Sequence, residues 1–430
     1  MNLKQQTGSA DNLSSDIAII GGGMVGAAQA ALLAKANPDW RIVLIETFPM
    51  PAALKNSQSE SKPLPSYQPS FDDRSTAIAH GSLLLLEQLG VWSQLQQYAT
   101  PIDQVHVSDK GHIGGALIDC RQVGVEALGY VVPNAWIGRV LINHLQSLAN
   151  VEVLAPATVT HLQPLTRGAR LEIIADGNAL ELTTDLAIIA DGAQSPLRAA
   201  LGIDNEVQDY QQTAIIANIG LEQSHKGIAY ERFTDQGPMA LLPLGGSLEG
   251  RSSALVWTQP SDKVEQILAL SDGDFLQCLQ QRFGHRLGRL VSVGKRDSYP
   301  LSLSVAKEQI RSSIVVMGNA AHFLHPVAGQ GFNLALRDCA ALTATLKAEA
   351  LSDQPELGSL KTLNRYIEQQ RLDQQATIHF SDQLTKLFST AELPQAALRA
   401  LGFVGLECVP PAKQWLAKQT MGDAGRRVVL

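Results

Sequence analysis

The sequence predicts an α/β protein, with a parallel-sheet, dinucleotide-binding unit interrupted by β-rich segments and followed by helices. Three observations predict it. "DIAII" (16–20) runs directly into "GGGMVGAAQAALLAKA", which reads as a buried strand, a glycine turn and an Ala-rich helix. Strand-like runs dominate residues 213–298, as in "TAIIANIG", "GPMALLPLG" and "SSALVWTQ". "SIVVMGN" (313–319) then resumes the buried-strand type, and helical patterns fill most of the remainder.

Taken in order, "RIVLIE" (41–46) is a second short strand closing at Glu46. Residues 48–70 are polar and carry five prolines, Pro49, Pro51, Pro63, Pro65 and Pro69, and read as an irregular loop. "AIAHGSLLLLEQLGVW" (77–92) and "IGRVLINHLQSLA" (137–149) have helical spacing, with glycine-rich, strand-like sequence between them. "LEIIADG" and "DLAIIADG" are strands near Leu171 and Leu186, and one helix falls around 272–283. The expected organisation is a polar, disordered lead over 1–15 and a nucleotide-binding domain from 16–100, 133–205 and 300–350. A β-rich substrate domain takes 101–132 and 206–299, and C-terminal helices take 351–430.

Composition bounds the function. The chain has 430 residues, 45% hydrophobic and 17% charged, which suits a folded domain rather than extended disorder. A net charge of −7 argues against a nucleic-acid partner. No apolar run approaches the roughly 18–20 residues that span a bilayer, and residues 1–15 lack the apolar core of a signal peptide. The four cysteines, Cys120, Cys278, Cys339 and Cys408, show no paired spacing and read as thiols rather than disulfides or zinc ligands. The expectation is a cytoplasmic enzyme.

Three motifs carry chemistry, each at a strand–helix junction. Gly21-x-Gly23-x-x-Gly26 lets a pyrophosphate approach the positive end of the following helix, because glycine has no Cβ to block it. Glu46, 46 − 26 = 20 residues after the last glycine, stands where an acid accepts hydrogen bonds from a ribose. An acid there disfavours a 2′-phosphate and points to NAD or the adenosine half of FAD. "LAIIADGAQSPLR" (186–198) ends a strand in Asp191-Gly192, with Ser195 and Arg198 behind, although a strand ending in Asp-Gly is more often a plain turn. "GNAAHFLHPVAGQGFNLALRD" (318–338) leads a glycine loop into a helix expected to begin near Phe332–Asn333. Its free N–H groups would favour the negative edge of a reduced flavin; the plainer alternative is an N-cap by Asn333.

These segments, in this order, resemble the FAD-dependent aromatic hydroxylases, single-component flavoprotein monooxygenases, over about residues 16–345. The resemblance implies a Rossmann-type FAD-binding domain interrupted by a β-sheet-rich substrate domain, with a helical C-terminal region. It implies FAD contacts at Gly21, Gly23, Gly26, Glu46, Asp191, Gly192, Gly318, Asn319, Gly329, Gly331 and Asn333. Arg139 in "IGRVLINHL" and Arg74 in "DDRSTAIA" match further segments of the family. "FDDRSTAIA", "HVSDKGH" (106–112), "ERFTDQGPMALLP" and "GQGFNLALRD" resemble the ubiquinone-biosynthesis branch. Most of these hydroxylases have aspartate after the glycine at 318. Asn319 keeps an acceptor without the charge, and it is similar to the narrower branch.

The branch implies NADH or NADPH and O2 as co-substrates, and hydroxylation of a polyprenylated phenol such as 2-polyprenyl-6-methoxyphenol through a flavin hydroperoxide. A hydroxylase of another ring position, a prenyl reductase and a non-catalytic flavin subunit stay open. Only one dinucleotide fingerprint is present, so the nicotinamide has no Rossmann domain of its own. No catalytic base is assigned; Pro326 is expected to fix ring and oxidant geometry in the catalytic site, against the alternative of simple loop rigidity. His322 and His325, three apart, have no carboxylate or cysteine spacing beside them, so no metal is expected. "LPQAALRALGFVGLECVPPAKQWLAKQ" (393–419) reads as a helix covering its own domain. The alternative is contact with the inner face of the cytoplasmic membrane or with other ubiquinone-biosynthesis proteins.

Overall fold

The computed structural model describes residues 12–50, 74–111, 115–245, 250–326 and 329–388, with positions 411, 414, 417, 421 and 422. The proline-rich stretch beyond residue 50, His112 and most of 393–419 lie outside the described residues.

The first strand, β1 (Asn12–Ile20), feeds helix α1 (Met24–Ala36) and then strand β2 (Ile42–Ile45). Both strands are buried through their apolar stretches, because parallel strands are covered on both faces. The parallel sheet runs Ile314–Val316, Asn178–Ile189, β1, β2, Val151–Leu154. Registers pair Ile20 with both Ile189 and Ile45, and Ile189 with Val316. The carboxyl ends of the three strands that precede the glycine motifs are therefore level. Antiparallel strands Ala157–Pro164 and Ala169–Ala175 extend the sheet beyond Asn178–Ile189. The alanines of α1 are almost wholly buried, which lets it pack closely against its neighbours, including the helix Gln330–Ala350.

Two expectations are corrected here. Residues 12–15 of the expected lead belong to β1, paired from Asn12 opposite Glu181 onward; Ser14 is exposed while Ser15 is already buried, so the polar stretch is ordered by its backbone ladder. The helix expected from Ala77 begins only at His80, because Ser75–Ala79 forms strand β3, paired with Gly129–Pro133 in a three-stranded sheet completed by Thr100–Ile102.

A second large sheet has nine strands. Its order is His322–Phe323, Asp297–Ala306, Asn205–Leu221, Ser252–Pro260, Gly237–Leu244, Ile228–Thr234, Gln104–Asp109 and Gly115–Asp119, with Leu290–Val293 beside Asn205–Leu221. Residues 300–306, expected with the nucleotide-binding part, pair with Asn205–Leu221 instead. One face of this sheet packs a core around Trp257, Phe275 and Phe283, under the helices Ser261–Leu268 and Asp272–Phe283. The helix Leu360–Phe388 packs on Gln330–Ala350, pinned by an Arg337–Asp373 ion pair at 2.6 Å. Among the described residues no helix is long and apolar enough to cross a membrane.

Candidate active site

The three motifs meet through their backbones. Gly21 has φ +102°, and a Cβ on it would overlap the carbonyl oxygen of Ala190, next to Asp191. A Cβ on Gly26 would overlap the carbonyl oxygen of Gly21, so the turn closes only with glycine there. Gly318, with φ +61°, passes so near α1 that a Cβ would lie 3.0 Å from a Val25 methyl. Arg198 completes the link. Its guanidinium donates to the carbonyls of Ala193 at 3.3 Å and Ala320 at 2.7 Å, tying the Asp191-Gly192 loop to the turn Gly318–Ala320. Ser195 caps the short helix Pro196–Ala200 by accepting the Arg198 N–H.

The carboxylate of Glu46 is buried and accepts the N–H of Gly22 at 2.6 Å and of Phe48 at 2.8 Å. It thereby fixes the middle of the glycine turn. Arg139 sits on the helix Asn134–Gln146 with its guanidinium 5.4 Å from the Trp136 ring centre. It stands apart from the lining of the cavity described next.

A cavity of about 750 Å³ opens between the motifs and the nine-stranded sheet. Arg74, Asn319, Pro326, Gly329, Gly331 and Asn333 line it, and so do Met24 and Val25 from the first turn of α1. Gly21, Glu46, Asp191, Gly192 and Gly318 follow the strand ends, Gly23 caps α1 and Gly26 lies in its first turn, and none of them lines the cavity. The Arg74 guanidinium lies over the Tyr299 ring, 4.6 Å from its centre. Pro326 is exposed in the wall and accepts the Gly329 N–H at 2.9 Å.

Asn333 does not cap the long helix, as the plainer alternative had it. The helix begins at Gln330 with Gly329 as its left-handed cap (φ +60°), because only glycine holds that turn cheaply. Asn333, one turn inside, accepts the Ala79 N–H at 2.9 Å and donates to the carbonyls of Ala77 at 2.9 Å and Gly329 at 2.7 Å. Its side chain clamps the loop to β3. Asn319 is exposed toward the cavity.

Three features of this arrangement fit an FAD. No side chain caps the first turn of α1, so its leading N–H groups face outward. Both carboxylate oxygens of Asp191 are buried without a hydrogen-bond partner among the described residues. Burial raises this carboxyl above its ordinary value. Lastly, a Cβ on Gly331 would meet open space in the cavity wall, the kind of cradle a flat ring fills. Asn319→Asp is expected to retain FAD, checked by the ratio of flavin to protein absorbance, since it changes charge without changing shape.

Sequence reasoning gave no role to several polar contacts in this region. His322 Nε2 lies 2.7 Å from Asp338 Oδ2, both fully buried, and Asp338 Oδ1 accepts from Gln374 at 3.0 Å. His325 turns elsewhere, its ring edge-on to Tyr210 at 5.5 Å, so the two histidines do not converge. Among the described residues no cluster of His, Cys, Asp or Glu could hold a metal. No local pattern signals these pairs, because their partners lie on other elements.

Burial lowers His325 to about 4. Below pH 6.5 the unfolded chain takes up a proton that the folded chain refuses. The stability from this group is thus full above pH 6.5 and falls as pH drops toward 4, by up to about 3 kcal/mol. Thermal melts should show the gap between wild type and His325→Asn narrowing over that window.

The fold and these junctions define a flavin-binding oxidoreductase, and comparison with known proteins places it. Residues 14–380 match the FAD binding domain family. The chain is 34% identical to the ubiquinone hydroxylase UbiL of Rhodospirillum rubrum, over 97% of this chain and 91% of the relative. It is 28% identical to the human mitochondrial ubiquinone biosynthesis monooxygenase COQ6, over 96% of this chain and 94% of that one. In fold it resembles the p-nitrophenol 4-monooxygenase PnpA of Pseudomonas putida, with a TM-score of 0.74, 17% identity, and coverage of 97% and 100% of the two chains. The chain belongs to the FAD binding domain family, as an FAD-dependent monooxygenase of the aromatic-hydroxylase class, in the group that includes the ubiquinone hydroxylases.

Proposed function

We propose that this monooxygenase hydroxylates the aromatic ring of a polyprenylated phenol, of the 2-polyprenyl-6-methoxyphenol type, in ubiquinone biosynthesis. O2 and NADH or NADPH are its co-substrates. The observation that carries this reading is the cavity: about 750 Å³, walled at one side by the Gly329–Gly331 loop and floored by an apolar sheet face. That size and character suit a flavin ring at the loop side together with a phenol ring and the start of an isoprenoid chain against the sheet face, and the relatives named for ubiquinone hydroxylation support it.

In this reading the Gly21–Gly26 turn, Glu46, Arg139, Asp191 and Gly192 hold the adenosine and pyrophosphate half of FAD. Arg74, Gly318, Asn319, Gly329, Gly331 and the backbone at Asn333 hold the ring half. Bound FAD supplies the reducible ring that activates O2. The chain's own work is to bind the phenol, orient it with the Pro326 wall and exclude water. A prenyl tail partitions into lipid, so contact with a membrane surface belongs to the same proposal.

The test supplies a short-chain 2-prenyl-6-methoxyphenol, NAD(P)H and 18O2 to the purified holoenzyme. Substrate-stimulated NAD(P)H oxidation with one labelled oxygen in the product is expected. Reduction of the substrate without oxygen uptake would make it a reductase. A deletion strain accumulating a different ring intermediate would move the hydroxylation to another position.

A further inference from the structure

The long strand Asn205–Leu221 of the nine-stranded sheet is interrupted beside the cavity. Asp209 pairs with Ser302, and Gln212 with Leu301, on the neighbouring strand Asp297–Ala306, so Tyr210 and Gln211 have no residue opposite them. Gln211 takes φ +54°, a left-handed conformation that a residue with a Cβ seldom adopts, and its N–H donates to the Asp209 carboxylate at 2.8 Å. Just past the interruption Ala214 lines the cavity, and so does Leu301 opposite Gln212. A bend alone would be met more cheaply with glycine at 211. Bulges beside functional sites commonly re-aim one side chain, and here that side chain is Tyr210.

Tyr210 reaches two other elements. Its hydroxyl donates to Asp382 Oδ1 at 3.0 Å, on the helix Leu360–Phe388, and Asp382 Oδ2 accepts from Lys386 at 2.7 Å. Its ring stands edge-on to that of His325, with centres 5.5 Å apart. Ser381, next to Asp382, donates to the His325 carbonyl at 3.3 Å. Ser381, Asp382 and His325 are all buried. Burial and the Asp382 carboxylate push the Tyr210 hydroxyl above its ordinary value, so it donates throughout the neutral range.

This joint ties two walls of the cavity together. His325 and Pro326 line it on the loop side, Phe380 and Leu384 line it from the helix, and Tyr210 stands outside the lining. The helix also touches the strand Gly237–Leu244, and Leu384 packs against the cluster of Ala116 and Phe233. Those apolar contacts carry no direction. The hydrogen bonds at Tyr210 and Ser381 do, so they set where the helix end lies relative to the loop. Resting on the function proposed above, we propose that Tyr210 is a positioning residue for the hydroxylation. By bracing His325 against Asp382 it fixes the gap between the Pro326 wall and the Phe380–Leu384 wall, in which the substrate phenol is gripped.

The experiment compares FAD-loaded wild type, Tyr210→Phe and Tyr210→Ala on a short-chain 2-prenyl-6-methoxyphenol. It measures flavin content, KM for the phenol, NAD(P)H oxidation, hydrogen peroxide and hydroxylated product. Tyr210→Phe keeps the ring against His325 and loses only the hydrogen bond, so it should fold and keep FAD. Both variants should still oxidise NAD(P)H when the phenol is added, with a raised KM, but more of that oxidation should end in peroxide. Product per NAD(P)H should fall in a graded way, less in Tyr210→Phe and by up to about 10²-fold in Tyr210→Ala, the cost of an ångström-scale misplacement. A Tyr210→Phe protein with wild-type KM and product yield overturns the proposal, whatever Tyr210→Ala does. Product loss that only follows loss of bound FAD overturns it too, by making Tyr210 structural. A wild type that forms no product from the probe overturns the parent reading and this one with it, whereas failure beside a productive wild type removes this one alone.

Discussion

Gly26→Ala is expected to yield colourless, destabilised protein. The added methyl would overlap the Gly21 carbonyl oxygen, which belongs to a turn held by the Gly22–Glu46 hydrogen bond, so neither partner yields cheaply. Overpacking of this kind costs about 1–3 kcal/mol, and any relief moves the first-turn amides of α1, which the proposed function gives to the pyrophosphate. Gly331→Ala is the contrasting case. Its Cβ meets nothing within 4 Å, so the fold tolerates it. Its flavin affinity should drop because the methyl enters the space beside the ring. Flavin-to-protein absorbance and the Tm of the flavin-free proteins read both effects. Gly26→Ala should lower both, and Gly331→Ala only the first. Full flavin occupancy in Gly331→Ala would show that the ring does not lie against this loop.

Asp338→Ala should cost about 3 kcal/mol in urea unfolding, because two buried donors, on His322 and Gln374, lose their acceptor at once. Gln374 also exchanges hydrogen bonds with Gln309, at 3.0 and 3.1 Å, so the buried chain ties the loop after Gly318 to the helix Leu360–Phe388 and to residues before Ile314. Asp338→Asn keeps one acceptor and should cost about half as much. Equal stability of all three proteins would show that this chain carries no net energy.

The glycine motifs were legible in the sequence because what they need is local: a strand end, a tight turn and no Cβ. Their mutual contacts were not, since Gly21 against Ala190 and Gly318 against Val25 depend on three parallel strands ending level. The start of the long helix was misplaced by two to three residues for a related reason. Phe332 and Asn333 look like a boundary, yet Gly329 supplies the left-handed cap and Asn333 spends its side chain on β3, some 250 residues away in sequence. Ala77–Ala79 likewise has helical periodicity but takes a strand because Gly129–Pro133 offers it a partner.

By itself, the sequence determined the α/β class, the glycine turns at the strand ends and the kinship with aromatic hydroxylases. Each is written in residues whose demand on the backbone is met within a few positions. The tertiary structure alone decided that these junctions meet at level strand ends, that His322 answers to Asp338, and which face of the nine-stranded sheet is turned to the cavity. Alternation says that Glu231 and Tyr230 point to opposite faces. Only the pairing of distant strands, and what packs on each face, says which side is core and which lines the cavity.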